Sequence, residues 1–147
     1  MSPDQDAAII AHVIQLAVAP VFLLSGVAAL LSVMASRLSR VIDRARVLEA
    51  HWGESEDSAR TASRSELAIL ARRARLASWA LNFSTFAALL VCTVIATLFI
   101  DAFLGTPLKW VVSGFFVASM LALIGGLICF LREVYLATHT LRIGPPQ

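Results

Sequence analysis

The stretch Ile9–Ala35, IIAHVIQLAVAPVFLLSGVAALLSVMA, carries no acidic or basic side chain apart from His12, and it runs directly into the cationic segment Ser36–Arg46, SRLSRVIDRAR. A helix needs ~20 mainly apolar residues to cross a bilayer. Backbone N–H and C=O groups in hydrocarbon must bond within their own segment, so the stretch reads as a transmembrane helix. The arginines that follow mark where it leaves the lipid.

Two further uncharged runs of similar character follow, about Trp79–Ile100 and about Trp110–Leu131. Hydrophobic residues make up 59% of the 147-residue chain and charged residues only 15%, against ~25% charged in an ordinary soluble domain. The start of the chain carries Asp4 and Asp6 and no basic side chain. A cleaved signal peptide has the opposite charge and a shorter apolar core, so the first run is expected to be retained as a span.

Nine of the eleven arginines lie between Arg37 and Arg75. Short cytoplasmic loops collect Arg and Lys. This segment is therefore expected inside, with the N-terminus and the short Gly105–Pro107 turn outside and the tail (132–147, with Arg132 and Arg142) inside. Leu38, Val41, Ile42, Ala45 and Leu48 recur at helical spacing after the first span, and Leu67, Leu70, Ala71 and Ala74 do so before the second. A polar break, Gly53–Ser58, separates them. The expectation is an all-α membrane protein forming a single membrane domain over residues 1–147. Spans lie at about 9–35, 79–100 and 110–131, and helices 1 and 2 extend through about 36–78 as an antiparallel cytoplasmic hairpin.

Enzyme signatures are missing: no H-E-x-x-H, G-x-S-x-G or Walker loop occurs. His12, His51 and His139 fall in three separate parts of the chain. No catalytic residue, metal site, cofactor or nucleic-acid partner is expected. Cys92 and Cys129 lie at different depths in their apolar runs and are expected to be unpaired.

Three patterns carry the functional expectations. The first is a charged collar of Arg37, Arg40, Asp43 and Arg44 beside Arg72, Arg73 and Arg75. Counting from the span ends puts Asp43 level with Arg72, so a bridge from Asp43 to Arg72 or Arg73 is expected. Such a collar suits anionic headgroups, or the charged mouth of a pore. The second is a stripe of small and polar residues in span 1. Ser25, Ala29, Ser32 and Ser36 share one face, with Gln15 and Pro20 nearer the N-terminus; the serines are candidates for lining a pore or for close helix packing. Asn82, Thr85, Thr93 and Thr97 form a weaker polar series in span 2, where Asn82 is expected to bond a neighbouring helix. The third is a set of small residues suited to close helix contact, within the chain or between copies: Gly26 beside Pro20, then Gly114, Ala118, Gly125 and Gly126. Trp79, Trp110 and Tyr135 read as interfacial anchors, while Trp52 falls at the hairpin tip.

The run Ala17–Glu49, AVAPVFLLSGVAALLSVMASRLSRVIDRARVLE, with Ser65–Leu76, SELAILARRARL, and Leu89–Phe99, LLVCTVIATLF, resembles a bacterial family of small membrane proteins described as domain of unknown function 2721. The resemblance covers roughly residues 9–135. Ser36–Arg46 is its most specific part, with Arg40, Asp43 and Arg44 fitting the family's pattern. It implies a three-span fold in a bacterial inner membrane and carries no activity.

Three spans are too few to enclose a pathway, so transport would require several copies around an axis. The readings that stand are a homo-oligomeric ion pore lined by span 1, a non-conducting scaffold or regulator whose basic hairpin holds a protein partner or anionic lipid, and a subunit of a larger complex.

Overall fold

The structure is a computed structural model that describes residues 3–50, 57–104 and 109–139, with side chains at 8, 10–50, 64–102 and 109–138. The hairpin tip with His51 and Trp52, most of the polar break, the Gly105–Pro107 turn and Arg142 lie outside the described residues. Three α-helices account for everything described: α1 (Pro3–Ala50), α2 (Asp57–Leu104) and α3 (Lys109–His139). Each is long and apolar enough to cross a membrane, with mean hydropathy of 2.3, 2.3 and 2.4 in its most apolar window. This is the pattern of a multi-pass membrane protein. Only 17%, 28% and 17% of those windows are buried inside the chain, so most of each helix surface must face lipid or other protein.

The helices are longer than the apolar runs. α1 does not end where Ser36–Arg46 begins, and α2 starts well before Trp79. Continuity removes the nucleation penalty that a short isolated helix faces. Pro20 lies inside α1, where it removes one backbone hydrogen bond, and it is buried.

The chain divides into two compact units, Met1–Leu31 with Phe83–Ile124, and Ser32–Asn82 with Gly125–Gln147. In the first unit the core is Val13, Ala17 and Val27 from α1 with Ala87, Leu90, Val91 and Val94 from α2, together with the buried Ser84, Thr97 and Ser119. In the second it is Met34 and Val41 from α1 with Leu70, Ala77 and Ala80 from α2, and one charged residue, Glu133.

Burial along each helix repeats every seven residues. On α1 Val13, Pro20, Val27, Met34 and Val41 are buried in such a series, with Ala17 buried beside it. On α2 two such series run together, Leu70, Ala77, Ser84 and Val91 beside Ala80, Ala87 and Val94. On α3 it is Ser119, Gly126 and Glu133. A seven-residue repeat is the seam of helices packed side by side, and the small residues on α2 and α3 permit close approach.

Gly26, Gly114 and Ala118 are exposed rather than packed, and a Cβ built on either glycine would meet nothing within 4 Å. Gly126 is buried and Gly125 is half-buried. Three hydroxyls of the first unit are bonded to their own helix: Thr93 Oγ1 donates to Leu89 O at 3.0 Å, Thr97 Oγ1 to Thr93 O at 2.6 Å and Ser119 Oγ to Phe116 O at 2.7 Å. Thr93 and Thr97 thus spend their donors on backbone carbonyls. Asn82 is exposed and bonds no neighbouring helix among the described residues.

Seam position and open surface should respond oppositely to added volume. Ala80→Leu is expected to destabilise by ~1–3 kcal/mol through overpacking, whereas Gly114→Ala should not lower stability. Thermal loss of helical circular dichroism in detergent measures both.

Candidate functional site: a carboxylate clamped by two arginines

Glu133 follows the last apolar run by two residues and occupies the next seam position after Ser119 and Gly126. It is 0% exposed. A carboxylate taken out of water is tolerated only when paired and hydrogen-bonded. Both partners come from the other helices of the same unit. Arg73 of α2 donates from Nε at 3.2 Å and from Nη2 at 2.9 Å, both to Oε1. Arg37 of α1 places Nη1 3.6 Å from Oε2, an ion-pair distance too long for a hydrogen bond. Oε2 accordingly has no hydrogen-bond partner. The Arg37 guanidinium also lies 5.5 Å from the centre of the Phe130 ring, one turn before Glu133 on α3. A cation over an aromatic face is favourable, which helps hold Arg37 in place.

The collar is therefore not uniform. Arg37 and Arg73 are turned toward Glu133. Arg44 meets Glu66 across α1 and α2 at 2.9 Å, with both side chains about half exposed. The expected bridge from Asp43 to Arg72 or Arg73 does not form among the described residues. Arg73 is drawn to the more deeply buried acid, and Asp43 instead accepts a hydrogen bond from Ser39 Oγ at 3.4 Å on its own helix. Arg40 is exposed. Arg72 and Arg75 have no acidic partner among the described residues and line an open groove with Arg132.

The candidate pore residues all face outward. Gln15 and Ser25 are exposed in the first unit, Ser32 and Ser36 in the second. Ser25 Oγ donates to Val21 O at 3.3 Å. Cys92 is exposed, Cys129 is half-buried, and both are free thiols. In the first unit His12, Asp101 and Lys109 line a common groove, and among the described residues no three His, Cys, Asp or Glu side chains are placed to hold a metal ion.

Three helices of membrane-crossing character thus carry a buried acid between basic side chains. A family match described as "Protein of unknown function (DUF2721)" covers residues 17–143, most of the chain. The chain belongs to this family. The DUF2721 match takes in Arg37, Arg73 and Glu133 as well as the exposed arginines. No curated protein and no solved structure matches the chain.

Removing one partner of a buried pair leaves the other charge uncompensated, at ~3–5 kcal/mol. Arg73 and Arg37 are partly exposed and can turn toward water, so Glu133→Ala is expected to cost about 3 kcal/mol, the low end of that range. Glu66→Ala should cost ~0–1 kcal/mol, as for exposed pairs. A double-mutant cycle on Arg73–Glu133, set beside one on Arg44–Glu66, should give the larger coupling for the buried pair.

Proposed function

We propose that the protein is a non-enzymatic, homo-oligomeric membrane protein whose copies form an ion-conducting pore lined by α1. The observation that carries the reading is the outward exposure of Gln15, Ser25, Ser32 and Ser36 on a lipid-length helix. The serines follow one another at seven and four residues and so share a face, while Gln15 lies about a quarter turn away by helix geometry. Polar groups on a span gain from meeting water or another helix rather than acyl chains. Nothing in one chain can enclose a path, so the lining needs further copies.

In this reading residues 36–78 form an antiparallel hairpin on the cytoplasmic side of a bacterial inner membrane, with the N-terminus outside and the C-terminus inside. Support comes from the arginine distribution, from the unbroken continuation of α1 and α2 beyond their apolar runs and from the Arg44–Glu66 bond. Exposed Asp43 and Arg40 would then stand at the pore mouth, where rings of one charge select ions of the other.

A second reading is a non-conducting scaffold or regulatory subunit whose basic hairpin binds a protein partner or anionic lipid. It is favoured by Arg40, Arg46, Arg72, Arg75 and Arg132, all exposed and without an acidic partner among the described residues.

In a background with Cys92→Ala and Cys129→Ala, Ser32→Cys in reconstituted protein should react with a membrane-impermeant thiol reagent, and ion flux into proteoliposomes should fall sharply in Ser32→Trp. A stable oligomer that passes no ion and shields the introduced thiol would sink the pore and leave the scaffold.

A further inference from the structure

The second unit holds an open groove of about 400 Å³ between α2 and α3. Arg72, Arg75, Leu76 and Trp79 line it from α2, at the three-, four- and seven-residue spacing of one helix face. Arg132 and Tyr135 line it from α3, three residues apart. Three arginines therefore line one groove whose lining contains no acidic side chain. The neighbouring acids are already committed: Glu133 to Arg73 and Arg37, and Glu66 to Arg44. Like charges lining one groove are unfavourable unless an anion or solvent compensates them.

The depth of the groove says which anion. Trp79 opens the second apolar run, and Arg75 and Arg72 lie ~6 and ~10 Å beyond it along the axis. Arg132 directly follows the third apolar run, which ends at Leu131. The headgroup layer occupies the first several ångströms outside the hydrocarbon. Trp79 and Tyr135 are both more than half exposed, the disposition of aromatic rings at a membrane interface. On α2 the groove is aromatic and apolar toward the bilayer and cationic just beyond it, while on α3 Arg132 stands at the end of the apolar run and Tyr135 and Leu136 follow ~5–6 Å farther out. Arginines at the interface beside apolar and aromatic surface fit a lipid better than a peptide.

We propose that this groove holds the headgroup of an anionic phospholipid, its phosphate among Arg72, Arg75 and Arg132 and its glycerol end against Leu76 and Trp79. The site rests on the reading of the arginine-rich end as facing anionic headgroups, and it is independent of conduction. Arginine suits phosphate because its planar donors match the oxygens.

The test uses the full chain in phosphatidylcholine vesicles with Trp79 as its sole tryptophan (Trp52→Phe, Trp110→Phe). Phosphatidylglycerol or further phosphatidylcholine is added with bromines near the glycerol end of the acyl chains. Brominated phosphatidylglycerol should quench Trp79 more than brominated phosphatidylcholine at equal mole fraction, as a several-fold preference. Arg75→Gln with Arg132→Gln should bring the two lipids close to parity, while Arg40→Gln with Arg46→Gln should keep the preference. Arg132→Lys, which retains charge and guards against misfolding of the double variant, should keep most of it. Equal loss in both double variants would overturn the groove and leave a diffuse basic surface. No preference in the unsubstituted arginine set would overturn the headgroup reading together with the site. Loss of the preference on adding glycerol phosphate would show a soluble phosphate site and overturn the lipid assignment.

Discussion

A carboxylate at the packing seam of helices that otherwise bury apolar and small side chains is the constraint on which the arginine-bearing unit depends. Glu133 has no access to water, and the penalty for that is several kcal/mol per ion before pairing. Arg73 supplies two hydrogen bonds to one oxygen and Arg37 faces the other. Each partner comes from a different helix, so satisfying one acid fixes α1, α2 and α3 against one another in this unit. Relative to apolar packing, ion pairing at a buried position adds little net stability; what it adds here is one point that side chains from two other helices must reach. Apolar side chains of the same volume would pack as well, but would tolerate rotation of a helix about its axis far better.

The clamp also divides a basic surface that looks uniform in composition. Charge opposite a buried acid is consumed, as at Arg37 and Arg73. Charge opposite an exposed acid, as at Arg44 and Glu66, is screened by water and contributes little. What is left, on Arg40, Arg46, Arg72, Arg75 and Arg132, is available to the surroundings. Three members of that remainder line one groove, and the sign of the groove follows from which arginines the interior has already taken.

Much of the fold was legible in the chain. The uncharged runs starting at Ile9, Trp79 and Trp110 located the three membrane-length helices, and the apolar spacing from Leu38 to Leu48 anticipated that α1 continues past its arginines. Less of the site was legible. Glu133 stands next to Arg132 just outside an apolar run, where an acid ordinarily reads as solvated. The signal that reveals it is the seven-residue step from Ser119 to Gly126 to Glu133, which is weak in sequence because two of its three members are small. The same reliance on composition misplaced the collar pairing. Equal distance from two span ends made Asp43 level with Arg72, but depth says nothing about rotation, and burial at Glu133 exerts the stronger pull on Arg73. Gly26 and Gly114 mark a further limit, since a small residue is equally suited to a contact inside the chain and to one outside it, and within this chain both are open.

The rotational setting of α1 connects the interior to the face offered outside. Arg37 must point at Glu133, and Met34 and Val41 are buried to either side of it in the chain. At 100° per residue, this choice turns Ser32, Ser36, Ser39 and Asp43 outward, and all four are exposed. Ser25 lies seven residues before Ser32 and continues the same face. The outward polar stripe and the inward arginine are therefore one decision made by adjacent residues, Ser36 and Arg37. Removing the Arg37 arm of the clamp alone would free α1 to turn without changing any residue of the stripe. A pore lined by that stripe would then lose its lining through a substitution at Arg37, which points away from the stripe toward Glu133. A groove formed by Arg72, Arg75 and Arg132 would instead keep its surface, because those residues sit on α2 and α3, which Arg73–Glu133 still joins. Sensitivity of conduction, as against lipid selectivity, to the Arg37–Glu133 contact thus separates the two functions on physical grounds internal to the fold.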